Sequence, residues 1–288
     1  MTIMRVESLV YGVEDVETGM RYYDDWGLPR VEHGRHGVDY LLPSGQTIRL
    51  RNSSDPSLPP PTESGSTVRE IVWGVDKAAA LDALGASLER DQKIERDAEG
   101  GIHARDPWGM ALTFRVAQPV PVKPQPVDKG VNHPFWPVDR VRPLRIGHAV
   151  FFTPASKLAA TSQFYRDKLG FRLTESVKSF GDFMRCGGSP DHHNLFLIAA
   201  GEKAGFNHVA FELGNFDEIM AGGKFMEGHG WQASTKPGRH IMGSNLFWYF
   251  TNPSGGKTEY FADMDVFDDN WQPRIHEKNP GYAHWMMS

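Results

Sequence analysis

The chain has 288 residues, of which 40% are hydrophobic and 23% charged. This composition is typical of globular proteins and excludes a disordered protein. Its formal net charge is −5 and it has no pronounced basic run, so nucleic acid is not an expected partner. Apolar runs such as NLFLIAA have the length of a strand, far below the roughly 20 residues that cross a bilayer, so no membrane partner is expected.

Cysteine content and the first residues bear on the cellular compartment. Cys186 is the single cysteine, which excludes an intrachain disulfide and a cysteine-based zinc site. The opening residues, MTIMRVESLVYGV, are typical of a strand and lack the layout of a signal peptide. We therefore expect a cytoplasmic enzyme or binding protein, long enough for two domains with a sizeable core in each.

The first half of the chain alternates predicted strands and helices. A strand at 5–13 (RVESLVYGV) precedes a helix near 16–26, whose aromatic residues share one face and which stops at Gly27. A second strand at 67–75 (TVREIVWGV) precedes a helix near 76–89. The remaining residues form short alternating runs between glycine and proline turns, which indicates further strands.

A proline-rich segment divides the chain. Residues 118–144 contain repeated prolines, which favour extended chain and exclude helix, so this segment is predicted to connect two folded units. The predicted organisation is an N-terminal domain at 1–120, a linker at 121–144, a C-terminal domain at 145–265, and a polar, irregular tail at 266–288.

The second half repeats the first. RIGHAVFFT (145–153) corresponds to the opening strand, and GFNHVAFEL (205–213) corresponds to TVREIVWGV; helices are predicted near 155–169 and 215–229. Each half therefore holds two modules of strand, helix and several strands. The predicted fold class is α+β: two tandem domains, each of two βαβββ modules whose sheets curve around a central cavity.

Three residues of the second copy have no chemical equivalent in the first. The second copy carries His148, His208 and Glu259, where the aligned first copy carries Ser8, Glu70 and Thr113. Core packing does not explain this difference, because the first copy packs without the histidines. Two imidazoles and one carboxylate on neighbouring strands form a facial triad, which holds a metal and leaves positions open for substrate and O₂. Fe(II), Mn(II), Ni(II) and Zn(II) all suit these ligands.

The other histidines lie in different local contexts. Alternation along SPDHHNLFLI predicts His193 on the face of Leu195 and His192 on the opposite face. His240 and Tyr249 lie in KPGRHIMGSNLFWYF and, taken alone, fit an exposed loop histidine and a core aromatic. The remaining histidines lie in polar or turn-rich context and are expected to be solvated: His33, His36, His103, His133, His229, His276 and His284.

The run GRHIMGSNLFWYFTNPSGGKTEYF resembles a known family, the type I extradiol (meta-cleaving) catechol dioxygenases of the vicinal oxygen chelate superfamily. The resemblance covers both halves and is strongest at 145–263. It implies Fe(II), with Mn(II) as an alternative, bound by His148, His208 and Glu259. It also implies a catechol-type aromatic substrate, O₂ as co-substrate, and assembly as a homo-oligomer.

The resemblance further implies roles for residues around the metal. His193 corresponds to the acid/base histidine, and His240 and Tyr249 correspond to the other catalytic residues. These three, with Phe247, are the expected substrate contacts. The arginine that binds a substrate carboxylate in some members is replaced near Thr235, which disfavours a carboxylate-bearing catechol unless Lys236 or Arg239 substitutes.

Two other functions remain compatible with the sequence. A glyoxalase-like isomerase, epimerase or thiol transferase of the same superfamily uses similar ligands but does not need O₂. A drug-sequestering protein of the bleomycin-resistance type would bind a small molecule without a metal triad and without turnover.

Overall fold

A computed structural model describes residues 3–34, 37–123 and 140–288. In the first half the elements are β1 (Ile3–Val13), α1 (Val16–Asp25), β2 (Arg30–Gly34), β3 (Gly37–Leu41), β4 (Thr47–Asn52), β5 (Thr67–Val75), α2 (Ala78–Leu88), β6 (Glu95–Arg96), β7 (Ile102–Arg105) and β8 (Ala111–Val116). The four predicted helices are confirmed, with ends displaced by a few residues.

The second half repeats this order and adds two strands. Its elements are β9 (Arg145–Phe152), α3 (Ala155–Gln163), a π-helical turn (Phe164–Lys168), β10 (Arg172–Val177), β11 (Gly181–Arg185), β12 (Leu195–Ile198), β13 (Gly205–Glu212), α4 (Phe216–Gly228), β14 (Gly238–His240), β15 (Leu246–Thr251), β16 (Lys257–Ala262), β17 (Arg274–His276) and β18 (Ala283–Met286).

Each half forms one mixed sheet from two βαβββ modules. The strand order is β2-β3-β4-β1-β5-β8-β7-β6 in the first sheet and β17-β10-β11-β12-β9-β13-β16-β15-β14-β18 in the second. The first strands of the two modules are antiparallel neighbours at the centre, and each is parallel to the last strand of its own module. The predicted α+β class and the four modules are confirmed.

Helix α1 shows how local sequence sets an element and its end. The side chain of Asp15 accepts a hydrogen bond from the backbone N–H of Thr18 (3.0 Å), which satisfies a free donor of the first turn. Gly27 follows the helix with φ of +93°, and a Cβ there would lie 1.9 Å from the carbonyl oxygen of Val141. Glycine is therefore required where the helix ends.

The aromatic face of α1 packs against the other half of the chain. Trp26 stacks on Tyr260 with ring centroids 3.5 Å apart, and the Tyr260 hydroxyl donates to the Trp26 carbonyl (2.8 Å). Tyr22 hydrogen-bonds Thr258. One hydrophobic core is therefore continuous through both sheets, in place of the expected separate cores. The domain boundaries stay a prediction, and residues 124–139 of the predicted linker lie outside the described residues.

The C-terminal segment is more regular than its composition indicates. Strand β17 extends the second sheet beside β10, and β18 extends the opposite edge beside β14. The rest of the segment is irregular, and these two short strands form because backbone hydrogen bonds to existing sheet edges order residues that have little apolar periodicity of their own. Among the described residues no helix is both long and apolar enough to span a membrane.

Candidate metal centre

Strand register brings the three predicted ligands together. His148 of β9 and Glu259 of β16 both pair with Ala210 of β13, from opposite sides. His208 lies two residues before Ala210 and therefore on the same face of β13. In the first sheet Ser8 and Thr113 both pair with Val72, two residues after Glu70. The register thus supports the alignment of the two copies.

The ligand atoms of the triad converge on one point. Nε2 of His148 lies 3.0 Å from Oε2 of Glu259, Nε2 of His208 lies 3.2 Å from the same oxygen, and the two nitrogens are 3.4 Å apart. Ligand atoms about 2.1 Å from one ion and at right angles to each other are about 3 Å apart. All three side chains are buried. The set can therefore hold a metal ion on one coordination face.

His208 and Glu259 each make a second hydrogen bond, which orients the side chain toward the point where the three ligand atoms converge. Nδ1 of His208 lies 2.7 Å from Oδ1 of Asn207, an acceptor, so this nitrogen carries the proton and Nε2 is free. Nδ2 of Asn245 donates to Oε1 of Glu259 (3.0 Å), which leaves Oε2 facing the imidazoles. Such outer hydrogen bonds are typical of metal ligands. Nδ1 of His148 has no hydrogen-bond partner within the described chain.

The protonation states of the ligands also suit a cation. Burial lowers the pKa of His208 to about 4, although Glu259 opposes this shift. Burial raises the pKa of Glu259, but the adjacent His148 and His208 outweigh it and hold that pKa well below its ordinary range. At neutral pH the site therefore presents a carboxylate and a neutral His208, the forms that bind metal.

The triad opens into a cavity of about 320 Å³. One wall is apolar and consists of Val150, Phe180, Phe183, Phe196, Ile198 and Met242. Phe183 and Phe196 stack with centroids 3.7 Å apart. The combination of an apolar wall with a few convergent polar groups is typical of a small-molecule site.

His193 lines this cavity beside the triad, with its ring centroid 4.1 Å from that of His148. Burial lowers its pKa well below the ordinary value, and the neighbouring histidines lower it further. The prediction that His192 and His193 face opposite ways is wrong: their Nδ1 atoms are 2.9 Å apart. Strand alternation fails here because β12 begins only at Leu195.

His240 and Tyr249 lie beside Glu259 and His208 and form one hydrogen-bonded unit. Nε2 of His240 is 3.0 Å from the Tyr249 hydroxyl, and Nδ1 of His240 is 3.0 Å from the carbonyl oxygen of Tyr282. Both His240 and Tyr249 line the cavity. Phe247, the fourth expected substrate contact, stacks behind His240 at 4.0 Å and does not line the cavity.

Sequence reasoning missed several lining residues. Asn279, Gly281 and Tyr282 come from the C-terminal segment, and Lys257 is the one cationic residue of the described lining. Lys257 could have been found, because it lies two residues before Glu259 on the same face of β16. Tyr282 lies in the C-terminal segment, and no sequence pattern there indicated a place in the cavity.

The two cations considered for a substrate carboxylate lie elsewhere. Arg239 donates to Asp263 (2.9 Å) and to the carbonyl oxygen of Ser244 (2.5 Å). Lys236 lines a separate surface cleft with Trp231. Neither lines the cavity at the triad, so this region does not replace the arginine that the sequence lacks.

The equivalent positions of the first sheet carry a different polar cluster. Thr113 hydrogen-bonds Glu70, and the ring of His103 lies 2.7 Å from the Thr113 hydroxyl and 2.8 Å from Asp97. His103 was expected to be solvated, but its side chain is only 36% exposed and its ring nitrogens are engaged in these contacts. His36 and His133, and the side chain of His33, lie outside the described parts of the structure.

One known protein family matches part of the chain. Residues 145–260 match the Glyoxalase/Bleomycin resistance protein/Dioxygenase superfamily. The match covers the segment that carries the triad, and the resemblance seen in the sequence is confirmed.

One relative matches over a longer part of the sequence, and two solved structures match in fold. The chain is 36% identical over 193 residues to "Metapyrocatechase 2" of Cupriavidus necator, an alignment that spans 64% of this chain and 59% of the relative. The crystal structure of BphC, a halotolerant catechol dioxygenase, superposes with a TM-score of 0.79 at 17% identity, covering 99% of this chain and 94% of that one. The Mn(II)-bound glyoxalase from Novosphingobium aromaticivorans superposes with a TM-score of 0.76 at 22% identity, covering 97% and 89%. At these sequence identities the two superpositions show a shared fold and nothing about activity.

Proposed function

We propose that the protein is an extradiol ring-cleaving dioxygenase, which inserts both atoms of O₂ into a catechol-type aromatic and yields a ring-opened, semialdehyde-type acid in the degradation of aromatic compounds. One observation carries the proposal: the His148, His208 and Glu259 triad opens into an apolar-walled cavity that is also lined by His193, His240 and Tyr249. The similarity to a metapyrocatechase supports it.

The proposed metal is Fe(II), with Mn(II) as an alternative that the same ligands accept. His148, His208 and Glu259 would hold it through the three converging atoms. When bound, the ion would supply Lewis acidity toward the two catechol oxygens and a binding position for O₂. A two-histidine, one-carboxylate set with open positions is typical of non-haem Fe(II) oxygenases.

His193 is the proposed acid/base residue. Its ring lies against His148 on the cavity side, within reach of a catechol oxygen held at the triad. Burial keeps the imidazole neutral at neutral pH, so it is ready to accept a proton from the catechol hydroxyl and to return it later.

Tyr249 and His240 are proposed to hold a hydroxyl of the substrate. Burial raises the pKa of the Tyr249 phenol, and the nearby Glu259 raises it further, so the hydroxyl keeps its proton. Because Nδ1 of His240 faces a carbonyl, Nε2 is the acceptor for that proton. The Tyr249 oxygen then has lone pairs free for a substrate hydroxyl.

The apolar wall of the cavity suits a catechol with an apolar substituent, which would contact Phe183 and Phe196. Arg239 and Lys236 lie outside this cavity, and Lys257 is the one cation of the described lining that an anionic substituent could meet. We also propose, from the resemblance, that the enzyme acts in the cytoplasm as a homo-oligomer.

The decisive experiment measures O₂ uptake and visible product absorbance with protein purified anaerobically and loaded with Fe(II). Catechols that carry alkyl, aryl or carboxylate substituents form the panel. We expect stoichiometric O₂ consumption, with higher kcat/KM for the alkyl and aryl members. Undiminished turnover without O₂ would contradict the dioxygenase and support a glyoxalase-like isomerase. Stoichiometric binding without product would support a binding protein.

A further inference from the structure

Three buried polar atoms meet behind His193, on the side away from the cavity. They are Oε2 of Glu175, Nε2 of His192 and Nε2 of His276, and none has a hydrogen-bond partner within the described chain. The Glu175 oxygen is 3.7 Å from the His192 nitrogen and 3.5 Å from the His276 nitrogen. These separations exceed a hydrogen bond, but they place both imidazole nitrogens beside the carboxylate oxygen.

The cluster is built from separate segments of the second sheet. Glu175 belongs to β10, His192 precedes β12, and His276 belongs to β17 of the C-terminal segment. His276 was expected to be solvated, but its side chain is only 28% exposed. The guanidinium of Arg274 lies 3.6 Å from the other oxygen of Glu175.

His192 connects this cluster to the cavity. It is 1% exposed, its ring packs between Phe183 and Phe267, and its Nδ1 lies 2.9 Å from Nδ1 of His193. A hydrogen bond between two imidazole nitrogens needs one protonated and one bare nitrogen. Whether Nε2 of His192 carries a proton decides which of the two Nδ1 atoms is the donor and which is the acceptor.

Glu175 settles that choice. The guanidinium of Arg274, which is always charged, lies 3.6 Å from Oε1 of Glu175, so Glu175 is a carboxylate. A carboxylate only accepts hydrogen bonds, so the facing Nε2 of His192 carries the proton. With this as the single proton of His192, Nδ1 is bare and can accept from Nδ1–H of His193.

We propose that Glu175 and His192 are positioning residues that fix His193 in the tautomer whose Nε2 is bare and faces the cavity. His193 would then meet the substrate as a proton acceptor from the first contact. The catalytic consequence rests on the proposed function, whereas the tautomer is a property of the chain alone.

The direct test is the tautomer of His193, measured by long-range ¹H–¹⁵N NMR of the metal-free full chain with ¹⁵N-labelled histidine near neutral pH. A His193→Gln variant assigns the signals. We expect Nδ1 protonated and Nε2 bare. Glu175→Leu should shift His193 toward the Nε2–H tautomer. Glu175→Gln keeps an acceptor oxygen and should preserve the native tautomer. A wild-type His193 protonated at Nε2, or no change in Glu175→Leu, would overturn the proposal.

A double-mutant cycle on the Fe(II)-loaded enzyme tests the route through His192. His192→Asn keeps an acceptor near the Nδ1 position and should retain most activity, whereas His192→Phe should not. Glu175→Leu should lower kcat about 10-fold or more with little change in KM, as losses of outer hydrogen-bond partners do. In the His192→Asn background the same change should have no further effect. An equal effect in both backgrounds would contradict the route.

Matched controls separate this proposal from folding and from the proposed function. His229→Leu alters an exposed histidine that stacks on Phe225, far along the chain, and should change neither tautomer nor kcat. If no catechol is cleaved but the tautomer responds as expected, the proposed function fails and the positioning stands. If catechol is cleaved and Glu175→Leu matches the wild type in both measurements, the positioning fails alone.

Discussion

The hydroxyl of Tyr249 lies 3.0 Å from Nε2 of His240, and the two side chains occupy one side of the cavity at the triad. The carbonyl oxygen of Tyr282, from the C-terminal segment, accepts from the other nitrogen of the same imidazole (3.0 Å). A residue far along the chain thus determines which nitrogen of His240 faces Tyr249. This relationship leads to the first two predictions.

Tyr249→Phe removes one hydroxyl and keeps the ring, which is buried. We expect kcat to fall about 10²-fold or more, because the substrate hydroxyl loses its hydrogen-bond partner in the cavity. Bound metal should stay near wild type, since Tyr249 is not in the triad. Steady-state O₂ uptake with metal analysis checks both points, and full-rate turnover would refute the role of Tyr249.

Tyr282→Ala removes the ring that packs 4.9 Å from His240 and 5.3 Å from Phe247 but keeps the carbonyl that orients His240. We expect KM to rise several-fold with a smaller change in kcat, because the cavity loses part of its wall. Met287→Ala, at an exposed position of the same segment, is the matched control. Equal kinetics for the two variants would exclude a role for the tail in substrate binding.

Glu259→Gln tests the metal site. The amide keeps an oxygen for Asn245 but places an uncharged group at the meeting point of the imidazoles, so Fe(II) affinity should fall about 100-fold or more. Glu70→Gln changes the carboxylate at the first-copy position equivalent to His208 and should leave metal content unchanged. Equilibrium dialysis and the Fe(II)-dependent rise in Tm provide the measurements. Wild-type metal content in Glu259→Gln would refute the triad.

The lowered pKa of His208 predicts pH-dependent stability in metal-free protein. Its pKa of about 4 in the folded state lies below the ordinary 6.5, so the unfolded state binds the proton more readily between these values. The stabilisation is therefore present above about pH 6.5 and is lost as the pH falls toward 4, by roughly 3 kcal/mol. Urea unfolding with a chelator at pH 7.5 and 4.5 measures it. His208→Gln should show a smaller loss, and an identical loss would contradict the assignment.

The repeated sequence pattern of the two halves predicted most of the fold and the three residues of the triad. Two strands with alternating apolar residues, each followed by a helix and then by turn-rich strands, define the modules, because this periodicity is a local property of the chain. The contrast of His148, His208 and Glu259 with the first copy was also visible in the sequence. The register around Ala210 supports the resulting alignment of the two copies.

Contacts between segments that are distant in the chain were visible only in the tertiary structure. The tail became two edge strands and brought Tyr282 to His240, because sheet edges offer hydrogen bonds that no local pattern announces. His192 turned toward His193 because the strand begins later than its alternation suggests. By itself the sequence determined the modules and the triad; packing between segments decided the tautomers, the walls of the cavity and the continuous core, since these depend on distances that only the folded chain fixes.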